Sequence, residues 1–179
     1  MPHSETTLSS QEIFAGRVIR VTLDTVRLEN DKTSTREVVH HHGGACVLPL
    51  DDVGNVTLVR QFRYALGEEL WELPAGKLEK GEDPFEAAKR ELGEECGLTA
   101  DRYTDLGVIY PTVGYDNEKI YLWAVSGLHP VPQHLDEDEF LDVVKLPLEQ
   151  AVQMVMDGTI RDSKTQIGLL KAALLRDKL

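Results

Sequence analysis

Glu91, Glu94 and Glu95 fall within five residues of one another, inside a run from Gly76 to Leu98 that reads GKLEKGEDPFEAAKRELGEECGL. Ionised carboxylates this dense are ligands for hard divalent cations, which take oxygen donors. A cation held there spreads the charge of an anionic substrate and lowers the pKa of a bound water. The same run encodes the helix that would carry the acids. Asp83 stands where a cap belongs, Pro84 suits the first helical position, and Glu86 completes a capping box. Gly97 supplies the left-handed residue that commonly ends a helix. Phe85, Ala88, Leu92 and Cys96 recur at three- and four-residue steps and mark one buried stripe. At about 100° per residue, Glu91 and Glu95 stack one turn apart on the flank of that stripe, with Glu94 beside them. Like charges at this spacing cost a few tenths of a kcal/mol per pair, and more when partly buried. A solvated Glu-rich face would set its acids opposite the stripe, not along its border. Arg90 can compensate one carboxylate, and a bound cation is expected to compensate the rest.

Four further stretches carry groups able to act on an anionic substrate. In Arg60-Gln61-Phe62-Arg63-Tyr64, strand alternation puts Gln61 and Arg63 on one face and Arg60 and Phe62 on the other. An arginine emerging there can grip phosphate oxygens by bidentate bonds, or it can form an ion pair with Glu72 of Leu70-Trp71-Glu72-Leu73-Pro74-Ala75-Gly76. The acidic loop Asp136-Glu137-Asp138-Glu139 offers a carboxylate that could reach a polarised water without being locked as a ligand. Tyr110-Pro111-Thr112-Val113-Gly114-Tyr115 reads as a turn with exposed side chains. His40, His41 and His42 do not form a metal site, because neighbours on a strand point to opposite faces.

The Gly76–Leu98 run matches the Nudix box, G-x5-E-x7-R-E-U-x-E-E-x-G-U with U aliphatic, at every specified position. Seven fixed residue types in register arise by chance at a given start about once in 10⁸. The chain therefore resembles the Nudix hydrolases. The run R-Q-F-R-Y…W-E-L-P-A-G is similar to their ADP-ribose pyrophosphatase branch. The resemblance implies an α/β/α sandwich of α/β (α+β) class with a mixed sheet, and a loop–helix–loop metal site. It also implies Mg²⁺-dependent hydrolysis of a nucleoside diphosphate sugar, with Mn²⁺ as the alternative ion. ADP-ribose, cleaved to AMP and ribose 5-phosphate, is the expected substrate. ADP-glucose, GDP-mannose, NADH and FAD are its rivals; a damaged nucleoside triphosphate or a non-catalytic sensor role fits less of the chain.

Carried over by position, Glu91 and Glu95 are implied metal ligands, Glu94 is a further one, and the Ala75 carbonyl joins them. Arg90 would brace a glutamate and Glu82 would support the site from the preceding loop. Glu137 and Glu139 share the expectation of general base, one acting as base and the other as an extra ligand. Arg63 and Glu72 would line the substrate cleft, with Arg60 less favoured. Gly114 and Glu118 would join the substrate site, although Val113 stands where that branch has a proline. Arg36 and Glu37 fall where relatives use a strand exchanged in a homodimer to bind the adenine end.

Positioning these groups needs a core, and 179 residues with 41% hydrophobic content can bury one. Residues 1–10 are polar and expected to be loose. Strands are expected over 12–14, 17–28 and 35–40, making an antiparallel N-terminal β unit over 1–43 that serves dimerisation or substrate capping. The hydrolase domain is expected over 44–179, with strands near 45–50, 56–63, 103–109, 118–125 and 142–146. Helices follow over 147–157 and from an Asp162 cap through 175, the last with Ile167, Leu170 and Leu174 facing inward. The net charge of −12 argues against nucleic-acid and anionic-membrane partners. No apolar run suits a bilayer and no signal peptide is evident. Cys46 and Cys96 lack metal spacing, as expected of core fillers in a reducing cytoplasm.

Overall fold

The computed structural model describes residues 3–175. Its elements in chain order are β1 (Thr6–Ala15), β2 (Ile19–Arg27), β3 (Thr33–His41), β4 (Gly44–Pro49), β5 (Asn55–Arg63), β6 (Glu68–Glu72), β7 (Ala75–Lys77), α1 (Pro84–Cys96), β8 (Leu98–Ile109), β9 (Ile120–Pro130), β10 (Leu141–Pro147), α2 (Leu148–Met156) and α3 (Ser163–Leu175). Two compact units result. One takes the residues up to Gly43 together with Tyr110–Lys119, and the other takes the rest.

In the first unit β1, β2 and β3 form an antiparallel meander, paired from Thr6↔Arg27 to Ala15↔Arg20 and from Ile19↔His41 to Arg27↔Thr33. Residues 6–10 are therefore strand, not loose chain, and the strand expected over 12–14 is the end of β1. Every residue of β1 is exposed, so no buried alternation existed in the sequence to reveal its first half. The segment 110–119, assigned by sequence to the hydrolase domain, belongs with this unit. Val39 N–H donates to the Tyr115 carbonyl at 2.7 Å, Asn117 N–H donates to the Val39 carbonyl at 3.1 Å, and the Asn117 side-chain oxygen accepts from His41 N–H at 3.0 Å. Backbone pairing of this kind leaves no mark in side-chain periodicity.

The second unit is a layered sandwich. One sheet runs β7-β4-β9-β8, with β4 and β9 parallel and the other pairs antiparallel; the other sheet runs β10-β5-β6 and is antiparallel. Every residue of β4 is buried because both of its faces are covered. Ala45 and Val47 pack with Ala87, Ala88 and Leu92 of α1. Cys46 and Leu48 face a second cluster containing Leu58 of β5, Leu146 of β10, Leu148 and Ala151 of α2, and Leu169 and Ala172 of α3. The mixed α+β architecture is the one the sequence implied. Among the described residues no helix is long and apolar enough to cross a membrane. Both cysteines are free thiols, and burial pushes the Cys96 thiol up to about 12 and the Cys46 thiol further.

Local chemistry sets α1 as read. Asp83 accepts from Phe85 N–H at 2.9 Å and from Glu86 N–H at 3.3 Å, and Gly97 closes the helix at φ 62°, ψ 38°. β8 begins directly after that cap, five residues before the expected start, because β9 pairs with it from Leu98↔Pro130 onward. The inner face of α3 differs from expectation. Leu174 is 86% exposed and Leu170 lies at the surface, whereas Lys164, Thr165, Gly168, Leu169 and Ala172 are buried. Gly168 is small enough to admit Leu73, whose Cδ1 would lie 2.5 Å from any added Cβ. Ile167 packs against the core as expected, but the buried face also carries polar side chains with buried partners, so the apolar spacing misplaced Leu170 and Leu174.

Candidate active site

Burial is the first property of the acidic helix. Glu91 and Glu95 are only 6% and 2% exposed, so they lie inside the layer that their spacing had placed at its border. Loss of water pushes the Glu95 carboxyl up to about 8, with the neighbouring Glu91 charge adding to the shift. Burial likewise lifts Glu91 to about 7, against the pull of Arg90. The Ala75 N–H donates to Glu95 Oε2 at 2.9 Å and so brings the start of β7 to the carboxylate. Glu91 lies against Gly76, where an added Cβ would stand 1.8 Å from Glu91 Oε1.

Arg90 is the hub of the remaining acids. Its Nη1 donates to Glu91 Oε1 and to Glu94 Oε2, each at 2.7 Å, and its Nε donates to Glu82 Oε1 at 3.0 Å. Glu82 also accepts from Glu79 N–H at 2.8 Å, which folds the preceding loop against the helix. Glu139 acts on the same group from β10's side: its charge raises both Glu91 and Glu95. Its loop is turned by a Glu139 N–H bond to the Asp136 carbonyl at 3.0 Å. Glu137 is exposed and is not among the main charges that move either acid.

Arg63 and Glu72 meet directly. Arg63 Nε donates to Glu72 Oε1 at 2.6 Å and Nη2 to Oε2 at 2.7 Å, a bidentate pair. Glu72 is buried, and despite its desolvation the Arg63 bond keeps its pKa low. Arg63 keeps a side chain 41% exposed and feels the Glu95 charge, which places this pair beside the acidic helix. Arg60 lies on the other face of β5, paired with Asp142 at 2.9 Å and seated over the Trp71 ring.

The remaining residues singled out by sequence lie in the first unit. Arg36 is paired with Glu5 through Nε at 2.9 Å and Nη2 at 2.5 Å, and Glu37 is exposed. Gly114 is exposed with open space around it, and Glu118 stands 3.3 Å from His41 Nδ1. His40 bonds Thr22 at 3.0 Å.

Sequence reasoning missed Lys164 and Thr165, and read Asp162 only as the helix cap that it is. Lys164 Nζ donates to Glu72 Oε2 at 2.5 Å and stands 3.1 Å from Asp162 Oδ2. Thr165 Oγ1 donates to Asp162 Oδ2 at 2.6 Å and accepts from Leu73 N–H at 2.8 Å. A signal was present: Lys164 sits in the first turn of α3, where the helix dipole disfavours a cation.

An all-oxygen donor set of three carboxylates suits a hard divalent ion. Two of the three carry charge that burial opposes and that a cation would relieve. Among the described residues no three such groups are already gathered at metal spacing; Arg90 bonds one oxygen of Glu91 and one of Glu94. The donor chemistry fits the ion.

The NUDIX domain model matches residues 40–165, and a model described as nucleoside diphosphate sugar hydrolase N-terminal domain matches residues 5–39. Over 180 residues the chain is 39% identical to an ADP-ribose pyrophosphatase of Bacillus subtilis (strain 168), covering 97% of each. It is 40% identical over 167 residues to a methanol dehydrogenase activator of Bacillus methanolicus, covering 92% of this chain and 90% of that one. A solved structure titled "Crystal structure of ADP compounds hydrolase" superposes with a TM-score of 0.84 at 22% identity, over 98% of this chain and 96% of that one, which bears on the fold. The chain belongs to the NUDIX family. Within it, the chain is an enzyme of the nucleoside diphosphate sugar hydrolase class. Divalent metal ions are the general cofactor of this family.

Proposed function

We propose that the protein hydrolyses the diphosphate of ADP-ribose to AMP and ribose 5-phosphate, with Mg²⁺ as its ion. The observation that carries the reading is the pair of buried carboxylates, Glu91 and Glu95, set beside a half-exposed arginine with its own buried counter-ion. The name borne by the Bacillus subtilis relative supports the choice of ADP-ribose. Glu91, Glu95 and Glu94, with the Ala75 carbonyl, would hold the ions. Bound there, divalent ions neutralise the diphosphate and make a water more acidic. Arg90 steadies Glu91 and Glu94, and Arg63 grips the distal phosphate while Glu72 fixes its fork. Glu139 takes the proton of the attacking water, which adds in line to one phosphorus and expels the other phosphate; no covalent intermediate is needed. Gly114 and Glu118 belong to the substrate site, and Arg36 and Glu37 serve the adenine end.

Incubation with Mg²⁺ in ¹⁸O-labelled water tests this against a panel of ADP-ribose, ADP-glucose, GDP-mannose, NADH and FAD. AMP and ribose 5-phosphate from ADP-ribose, with the label in one of them, are the expected products at the highest kcat/KM. Preferred turnover of another panel member overturns the substrate. Glu139→Gln is expected to lower kcat by about 10²–10⁴-fold with KM nearly unchanged, the range for loss of a general base. Glu137→Gln should stay near the parent; the opposite pattern transfers the role to Glu137.

The proposed working form is a cytoplasmic homodimer. Leu8, Ile13 and Phe14 are each about half exposed on a strand that no other strand covers on its outer edge among the described residues, and an open edge of this kind favours pairing. Sedimentation at micromolar concentration should give twice the monomer mass, and a monomer would remove the dimer from the reading. Two free thiols suit a reducing compartment.

A further inference from the structure

Lys164 is a buried ammonium in a place where the helix dipole disfavours one. It is 8% exposed, it lies in the first turn of α3, and it stands behind a carboxylate that already has a bidentate arginine. An Arg–carboxylate pair is neutral without help, and burying a further ion carries a desolvation penalty that packing alone does not require. The arrangement is a relay of alternating charge: Arg63, Glu72, Lys164, Asp162. Glu72 Oε2 is divided between Arg63 Nη2 at 2.7 Å and Lys164 Nζ at 2.5 Å. Asp162 holds Lys164 from the other side, and Thr165 ties Asp162 to the backbone of Leu73, the neighbour of Glu72. The four charges sum to zero, and the end of the relay more open to solvent is Arg63, whose side chain is 41% exposed against 17% for Asp162. Among the described residues both of its side-chain hydrogen bonds go to Glu72, through Nε and Nη2, which leaves Nη1 for a ligand.

We propose that Lys164 is a positioning residue of the phosphate clamp: by taking part of the Glu72 charge from the buried side, it aims Arg63 outward and keeps its positive charge available to a substrate phosphate. The inference rests on the reading of Arg63 given above. Without Lys164 the relay carries a net negative charge, and Arg63 is drawn onto Glu72 to neutralise it.

The test is a mutant cycle on the full chain, read with ADP-ribose and Mg²⁺ below the melting temperature. Lys164→Met should raise KM by about 10-fold with kcat within about 3-fold, the pattern of lost substrate binding. In an Arg63→Ala background the same change should move KM by less than 2-fold. A folded Lys164→Met protein with the parental KM, or a KM effect of full size in both backgrounds, overturns the proposal. Because Met leaves buried charge uncompensated and can block folding, Lys164→Gln is made alongside it. Gln keeps a donor for Glu72, and its KM should rise about 3-fold or more. A second readout needs no turnover: the Nε–Hε resonance of Arg63 in ¹⁵N-labelled protein should shift in Lys164→Gln, and an unmoved resonance overturns the proposal. A wild type inactive on every nucleotide sugar, with that resonance still shifted by the variant, would refute the proposed substrate and leave the relay standing.

Discussion

Replacing Glu95 by Gln is expected to abolish metal-dependent turnover, by about 10³-fold, and at the same time to make the metal-free protein more stable above neutral pH. The loss should exceed the 10–100-fold that removal of an outer partner of a metal ligand costs. The gain in stability follows from proton counting. In the unfolded chain Glu95 titrates near 4.5; in the folded protein burial and the Glu91 charge hold its proton until about pH 8. Between those values the folded state binds more protons than the unfolded state, so stability falls as pH rises through this window. Glu91, raised to about 7, works in the same direction. Gln carries no charge to desolvate and can still accept the Ala75 N–H bond. At pH 8.5 it should restore roughly 3–5 kcal/mol, or about 6–20 °C in Tm for a chain of this length. At pH 5, where both carboxyls are protonated in the folded state, the variant and the parent should melt nearly together. Mg²⁺ should raise the parent's Tm more at pH 8.5 than at pH 5, through binding to the folded state alone, and should do little for the variant. Scanning calorimetry at the two pH values, with and without Mg²⁺, measures all of this. A Glu95→Gln protein whose Mg²⁺ response equals the parent's would remove Glu95 from the metal site.

How much of this was legible in the sequence depends on what each residue is bonded to. Helix α1 was legible to its caps because Asp83 and Gly97 act on neighbouring backbone, and local chemistry is written in local sequence. Its acids were placed one step too far out. Spacing locates Glu91 and Glu95 on an angle of the helix, but whether that angle is buried depends on β7 and on the absence of a side chain at Gly76. The Arg63–Glu72 pair was open between a clamp and a structural ion pair. The structure makes the pair, and a half-exposed Arg63 leaves both uses compatible. Lys164 was invisible to apolar periodicity because the buried face of α3 is built on polar partners 92 residues distant in sequence. The association of 110–119 with β3 was missed for a different reason: part of it is backbone bonding at Val39 that any residue types could make, and the Asn117 and Glu118 contacts with His41 have no local spacing to announce them.

Gly76→Ala should separate the fold from the chemistry more sharply than any substitution of an acid. Gly76 does not occupy the left-handed region, so alanine is compatible with its backbone. What an alanine meets is the Glu91 carboxylate, with Oε1 at 1.8 Å, Cδ at 2.0 Å and Oε2 at 2.4 Å from the new Cβ. Those atoms form the free end of a flexible side chain, and the least costly response is for Glu91 to rotate away. Backbone pairing of Ala45 with Gly76 is not disturbed by that motion. Stability should therefore change by no more than about 1 kcal/mol at pH 5. At pH 8.5 the variant should gain slightly, since the displaced Glu91 escapes the burial that raises its pKa. Turnover should fall by about 10²-fold, because a ligand moved by about 1 Å no longer shares an ion with Glu95. Raising Mg²⁺ should recover part of the loss, which distinguishes a misplaced ligand from a missing one. Thermal unfolding by circular dichroism and a Mg²⁺ titration of kcat/KM report the two halves of the prediction. A folded Gly76→Ala enzyme with parental activity at low Mg²⁺ would show that Glu91 works from somewhere other than its place against this glycine.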